Sequence, residues 1–509
     1  MTLEAYRSGH VRKAELPLLE SLPEDALMIR AAHGLAHVGL RELRDRNESR
    51  RATGSRAVLL VGSGNNGGDA LHAGAVMARR GVAVTALKLE DESHGTGTEA
   101  LAAAGGRFKT FENVDDALAL IARANIVIDG IVGIGAHGPL REPAASLVAA
   151  FNENFAGDAR PIVVAADIPS GIGVDDGTIP GPAISADVTV TFGAYKPGLL
   201  LPPAQLHAGR VEFIDLGLEP ILKDAGSHPL VQRVTFGDVS RLWPIPRRED
   251  HKYSRGVLGI VAGSTAYPGA AVLTVSGAFS SGVGMVRYVG PVQSRDLVLT
   301  HRPEVVAGGG RCQAWVLGPG VAPDDRDQTT AITRIIETCA DDGTPCVVDA
   351  GGLEFVPGHV EENIVLTPHA GELVRLLEER GEDVEREVIE DNPARWARVA
   401  AEITGATVLL KGHTTVVARP NGTILTQTGA PSWLATAGAG DVLSGILGSL
   451  LASSAEAIAK DNQVMAELAA VASLIHGEAA RHASRGGPVT ALAVSNALPE
   501  TIRSVLGSR

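Results

Sequence analysis

The chain is poor in cysteine, in aromatic residues and in positive charge, and it has no long apolar run. Its three cysteines, Cys312, Cys339 and Cys346, form no CxxC pair and no metal-ligating spacing. That excludes a disulfide framework and fits a reduced compartment. Aromatics make up only 4% of the residues, so cores must be built from Ala, Val and Leu. No stretch is apolar for long enough to span a bilayer. The N-terminus carries Arg7, Arg12, Lys13 and Glu15 early and lacks a signal-peptide core. A cytoplasmic location without a membrane partner is expected. A formal net charge of -14 argues against a nucleic-acid partner. It leaves room for a local anion site made of backbone N–H groups. Two nucleotide signatures are also missing, the GxxxxGK[ST] P-loop and the protein-kinase set.

What is present points to α/β architecture. At 509 residues, with 45% hydrophobic residues and 60 glycines, two or three domains with real cores are expected. Residues 6–46 read as helical. Then come a β-branched run at 56–61, a Gly-rich loop, a helix over 71–80 and a strand at 82–89, which make a βαβ unit. Further strands are expected at 126–128 and 162–166, ending at Asp129 and Asp167. Ligands bind outside the carboxyl ends of such strands, although Asp is also a common turn former there. The pattern dissolves around 216–231, which reads as a linker. A second α/β series follows, with strands at 257–261, 285–289, 314–317, 346–349, 364–366 and 407–410 and a helix over 465–484. The acid-rich stretch 378–390 reads as a solvated loop or helix face.

The first loop is Gly62-Ser63-Gly64-Asn65-Asn66-Gly67-Gly68-Asp69. It contains GxGxxG after a strand, and Glu90 ends the next strand where a dinucleotide fold holds its ribose. A nicotinamide-dependent dehydrogenase is therefore a rival reading. The Asn65-Asn66 pair with Asp69 is the sharper signal, because two amides give oxygens for a hard cation and donors for an anion. Asp129-Gly130-Ile131-Val132-Gly133-Ile134-Gly135 and Asp167-Ile168-Pro169-Ser170-Gly171 add to it. Asn66, Asp129 and Ser170 can all offer oxygen to one monovalent ion, which leaves Asp167 for acid/base work.

NNGGD, DGIVGIG and DIPSG together resemble the N-terminal domain of the bifunctional nicotinamide-nucleotide-hydrate repair enzymes, a Rossmann-like epimerase of hydrated NADH and NADPH. The resemblance covers residues 1–225. It implies that Asn65, Asn66, Gly67, Gly68 and Asp69 line the substrate site, with Gly133, Ile134, Gly135, Ala136, His137, Gly138 and Pro139 as a second loop. It implies that Asn66, Asp129 and Ser170 hold potassium and that Asp167 binds substrate and is the acid/base residue. Ser63 stands where the family usually has proline, and Ala70 where it has glycine. The loop 136–139 also departs from the commoner version.

In the second half, Thr436-Ala437-Gly438-Ala439-Gly440-Asp441 precedes a helical pattern. Glycines turn successive N–H groups into one concavity, and the helix start adds its positive end. Alone, this is also an ordinary Gly-rich turn. Beside such a place an acid can orient a hydroxyl for phosphoryl transfer. Its helix-start position is expected to lower the pKa of Asp441. Residues 251–256 (HKYSRG) offer cations. Pro268-Gly269-Ala270-Ala271 opens a helix with small residues, and Gly318-Pro319-Gly320 ends a strand. Thr367-Pro368-His369-Ala370-Gly371-Glu372 puts an imidazole after another strand, and Lys411-Gly412-His413-Thr414-Thr415 follows a further one.

In this order the pieces are similar to the ribokinase-like superfamily, within it the NAD(P)H-hydrate dehydratase branch, over residues 230–509. The likeness implies that Ala270 or Ala271, Gly320, His369 and Asp441 face the hydrate, with Asp441 catalytic. It implies that Lys411, Gly412, His413, Thr414, Thr415 and Gly440 bind the nucleotide. Ala439 replaces the family's threonine at a contact made mainly by backbone. The implied activity is an isomerase joined to a lyase. ADP is the implied phosphoryl donor, with ATP used in some relatives, Mg2+ serves the second domain and K+ the first. A homo-oligomer is expected. The rival enzyme is a vitamin or sugar kinase of the same superfamily fused to a nucleotide-binding domain. The non-enzymatic rival is a nicotinamide-nucleotide sensor.

Overall fold

The computed structural model describes residues 2–47, 50–155, 157 and 160–507. The chain divides into two compact units, Glu4–Val231 and Gln232–Arg509, the latter with Met1–Leu3. Among the described residues no helix is long and apolar enough to cross a membrane.

The first unit is a seven-stranded sheet with helices on both faces. Its strands lie in the order Arg107–Thr110, Ala83–Lys88, Arg56–Val61, Ile126–Gly130, Ile162–Ala166, Val188–Phe192, Arg210–Ile214. Every neighbouring pair is parallel. The central strands are continuous apolar runs because both faces are covered. Leu59 and Val61 join a core with Leu35, Leu71 and Met77 on one face. Val58 and Leu60 join Ile121, Leu147 and Val148 on the other. The strand order reverses direction between Arg56–Val61 and Ile126–Gly130, which opens a crevice at their carboxyl ends.

Three expectations need correction here. The stretch 6–46 is two helices, Ser8–Ser21 and Ala26–Arg46. Pro23 forces Leu22 into extended backbone (φ -101, ψ 159), which ends the first. The Gly-rich loop is shorter than expected, since the helix begins at Asn65 with Gly64 as its N-cap. Gly67 fits this turn because any Cβ there would overlap the carbonyl oxygen of Gly62. The stretch 216–231 is not plain linker; it carries the helix Glu219–Asp224 with Pro220 in its first turn.

The second unit has strands in the order Ile424–Gln427, Thr415–Ala418, Thr407–Leu410, Ile364–Leu366, Cys346–Val348, Ala314–Leu317, Val257–Val261, Met285–Val289, Val306–Ala307. Pairing is parallel from Thr407–Leu410 onward and antiparallel before it. The reversal point lies between Val257–Val261 and Ala314–Leu317. Helix Ala439–Ser453 crosses Pro268–Ser280 very closely. A Cβ at Gly445 would overlap the Thr274 carbonyl oxygen, and one at Gly277 the Val442 carbonyl oxygen. The acid-rich stretch 378–390 runs from the end of helix Ala370–Glu378 into helix Arg386–Asp391.

Candidate active sites

In the first unit the sheet ends bring three remote segments together. Asp129 is fully buried near the end of its strand. Its Oδ1 accepts from the Ser170 hydroxyl at 2.6 Å and the Ile131 N–H at 3.2 Å, and its Oδ2 from the Ser170 N–H at 2.7 Å. Ser170 Oγ in turn accepts from the Val132 N–H at 3.1 Å. Asn66 Nδ2 donates to the Val132 carbonyl at 2.9 Å. Asn66, Asp129 and Ser170 are thus gathered about residue 132. No Lys or Arg pairs with Asp129 among the described residues. Burial pushes its carboxyl up to about 6, opposed by the hydrogen bonds from Ser170 and Ile131. A buried carboxylate with oxygens around it and no cationic partner fits a monovalent cation.

Asp167 follows its strand in left-handed backbone, φ 64. Its Oδ1 accepts from the Phe192 N–H at 3.0 Å, from the Thr191 hydroxyl at 3.1 Å and from Lys196. Lys196 is 1% exposed and also donates to the Phe192 carbonyl at 2.8 Å. Sequence reasoning missed Lys196. The signal available was its place just beyond a strand end, but that strand, Val188–Phe192, was itself not anticipated.

Of the segment expected to line the first substrate site, Asn65 is exposed, while Asn66, Gly67, Gly68 and Asp69 are buried. Gly133 to Pro139 form a half-buried to exposed loop, steadied by Arg12 donating to the Ile134 carbonyl at 3.0 Å. Glu90 lies exposed past its strand.

In the second unit the helix Ala439–Ser453 starts after Gly438 at φ 84, with Asp441 in its first turn. Asp349, buried at the end of Cys346–Val348, ties the site together. Its Oδ1 accepts from Lys411 Nζ at 2.6 Å and its Oδ2 from the Ser444 hydroxyl at 2.7 Å. Lys411 Nζ also lies 3.6 Å from Glu372. Burial opposes its charge, yet Asp349 and Glu372 hold its pKa above the ordinary value.

The expectation that the helix start lowers the Asp441 pKa is overturned. Burial, then the Asp349 carboxylate, push it up to about 6; Lys411 opposes and Glu372 reinforces the rise. Desolvation and like charge outweigh the dipole, whose effect is worth only about 0.3–1 kcal/mol. Asp349 was read only as a strand end, and its two partners, 62 and 95 residues away, could not be paired with it by spacing.

His369 caps helix Ala370–Glu378. Its Nδ1 accepts from the Glu372 N–H at 3.1 Å, and Glu372 accepts from its backbone N–H at 2.8 Å. The imidazole remains exposed. Ala270 lies against Gly320, and Ala271 is buried in the core. Lys411, Gly412, His413, Thr415 and Gly440 line a cleft that reaches His476. Thr414 is buried beside them. Burial lowers His476 to about 4, so this cleft wall presents a neutral imidazole. In the segment 251–256, Lys252 lies over the Tyr253 ring and Arg255 donates to the Gly282 carbonyl. Among the described residues no group of three His, Cys, Asp or Glu converges as a metal cage.

Comparison with known proteins bears on both units. Residues 24–198 match the family model described as YjeF-related protein N-terminus, and residues 258–500 match NAD(P)H-hydrate dehydratase. A bifunctional NAD(P)H-hydrate repair enzyme Nnr of Mycobacterium leprae is 40% identical over 516 residues, 99% of each chain. An NAD(P)H-hydrate epimerase of Clavibacter sepedonicus is 46% identical over 42% of this chain and 91% of its own. A solved ADP/ATP-dependent NAD(P)H-hydrate dehydratase of Bacillus subtilis aligns with 53% of this chain and 97% of its own, at 25% identity and TM-score 0.46.

Proposed function

Because this chain belongs to the family of bifunctional NAD(P)H-hydrate repair enzymes, we infer that its two units divide one repair task between them. The first interconverts the R and S hydrates of NADH and NADPH, and the second dehydrates the S hydrate. The hydrate carries a hydroxyl on C6, next to the ring nitrogen, and hydroxide leaves poorly near neutrality. In the second unit the terminal phosphate of ADP passes to that hydroxyl. Phosphate then departs with the C6–O electrons, the ring nitrogen supplies the push, and loss of a proton restores NAD(P)H. AMP and phosphate are the other products.

The observation that carries this reading is the Asp441 carboxyl at a Gly-capped helix start, with Lys411 3.5 Å from where a Gly440 side chain would begin. Asp441 orients the hydroxyl and accepts its proton. The N–H groups of the turn stabilise the migrating charge, and Lys411 with residues 412–415 and Gly440 hold the nucleotide. Ala270, Gly320 and His369 line the hydrate side. Among the described residues Lys411 is the one ammonium beside Asp349, Glu372 and Asp441, so the excess negative charge suits Mg2+ arriving on the nucleotide phosphates.

In the first unit, Asn65 to Asp69 and Gly133 to Pro139 flank the hydrate and Asp167 exchanges protons at C6. K+ held by Asn66, Asp129 and Ser170 supplies the counter-charge that buried Asp129 lacks. A homo-oligomer in the cytoplasm is part of the same reading.

The test is to incubate mixed hydrate epimers with ADP, magnesium and potassium and to follow reduced nicotinamide near 340 nm (a general spectroscopic value, roughly). Full recovery with phosphate release is expected. Asp167→Asn should halt recovery once the S epimer is consumed, and Asp441→Asn should halt it altogether. A stable phosphorylated product would instead mark a small-molecule kinase and overturn the reading.

A further inference from the structure

The epimerase site holds more carboxyls than it can neutralise. Glu15 of helix Ser8–Ser21, Asp69 of helix Asn65–Arg79 and Asp167 lie within electrostatic reach of one ammonium, Lys196. Arg12 bears on Glu15, with its guanidinium engaged by the Ile134 carbonyl at 3.0 Å. His94 packs against Gly68.

Hydrogen bonds are shared unequally among the three acids. Asp167 Oδ1 takes three donors, namely Lys196, the Thr191 hydroxyl and the Phe192 N–H. Its Oδ2 takes none among the described residues. Asp69 is buried, yet no described donor reaches either of its oxygens. Glu15 likewise takes no donor among the described residues, but it is half-buried with Arg12 bearing on it, so buried Asp69 is the costlier of these two to ionise. Burial, then Asp167 and Glu15, hold the Asp69 carboxyl well above the usual range, and Lys196 offsets only part of this.

Resting on the epimerase reading above, we propose that Asp69 is the proton donor at C6 and Asp167, fixed by Lys196, the proton acceptor. Asp69 protonates the C6 hydroxyl, and the C–O bond breaks to water as the ring-nitrogen lone pair forms the iminium. Water then adds to the opposite face of C6 while Asp167 Oδ2 takes its proton. One proton has moved from Asp69 to Asp167, and exchange through solvent resets the pair. No oxidant or further reactant is needed. Lys196 is a positioning residue, since it keeps one oxygen of Asp167 engaged and the other free.

The experiment uses the full chain and purified R hydrate without ADP, so that only interconversion to the S epimer is read, by chromatography. Asp69→Asn is isosteric and neutral but cannot give up a proton. Its epimerisation kcat should fall about 10²–10⁴-fold, with KM for the hydrate within about threefold of the parent. The unfolding midpoint and dehydration of purified S hydrate by the same chain control for folding. Asp69→Glu should retain part of the rate and move the alkaline limb of its pH profile. A D69N chain that keeps more than about a tenth of the parent kcat, or one whose loss lies in KM alone, overturns the proposal. A parent chain that fails to interconvert the epimers overturns the epimerase reading itself.

Discussion

The Asp441 carboxyl sets a testable pH dependence for the dehydratase. Its rise from 3.8 to about 6 corresponds to roughly 3 kcal/mol against ionisation in the folded chain. Only the ionised form accepts the hydroxyl proton. At pH 7 about nine-tenths of the sites are competent, and at pH 5 about one-tenth. kcat/KM for S hydrate, measured near 340 nm with saturating ADP and magnesium, should therefore bend near pH 6 and fall about tenfold per pH unit below it. Asp349→Asn removes the like charge that bears most on Asp441 and frees Lys411 from its 2.6 Å pairing. Both changes favour the Asp441 anion, so the bend should move to lower pH by about one unit. Nucleotide affinity will change too, which is why saturation is required. A profile flat through pH 5–7, or a bend that Asp349→Asn moves upward, would refute the assignment of burial and Asp349 as the causes.

Three further outcomes are expected. Lys196→Met leaves Asp167 buried without its cation and should destabilise the first unit by about 3–5 kcal/mol in urea. S-hydrate dehydration should survive in that variant under native conditions. Gly445→Ala drives a methyl into the Thr274 carbonyl and should destabilise the second unit by about 1–3 kcal/mol in thermal unfolding. Replacing potassium by a large organic cation, or Asp129→Asn, should suppress epimerisation and leave the ADP-dependent step unchanged.

Much of the fold was legible because buried parallel strands are unbroken apolar runs. Arg56–Val61, Met285–Val289, Ala314–Leu317, Ile364–Leu366 and Thr407–Leu410 end where the sequence pattern ends. Val188–Phe192 is hidden because Thr189 and Thr191 interrupt its apolar run, although both are buried with the rest, and Thr415–Ala418 offers only three apolar residues after a threonine. Arg107–Thr110 and Arg210–Ile214 lie at the sheet edges and alternate with charge, so they lack the signal altogether. Helix Asn65–Arg79 was hidden at its start by Gly67 and Gly68, which are poor helix formers kept for close approach. At the sites, the strand-end acids Asp129 and Asp167 were readable from position. Ser170 is readable as a partner of Asp129, but Lys196, which pairs with Asp167, and Asp349, which bears on Lys411 and Asp441, act through contacts that no spacing in the sequence marks.

The positive φ of Asp167 governs how that residue can be interrogated. Asparagine tolerates left-handed backbone about as well as aspartate, whereas alanine pays roughly 1–2 kcal/mol to stay there. An alanine replacement would therefore perturb the turn that carries the side chain as well as removing its charge. The asparagine form isolates the lost proton acceptor, and the difference between the two variants would measure how far the conformation of this one peptide unit matters to turnover.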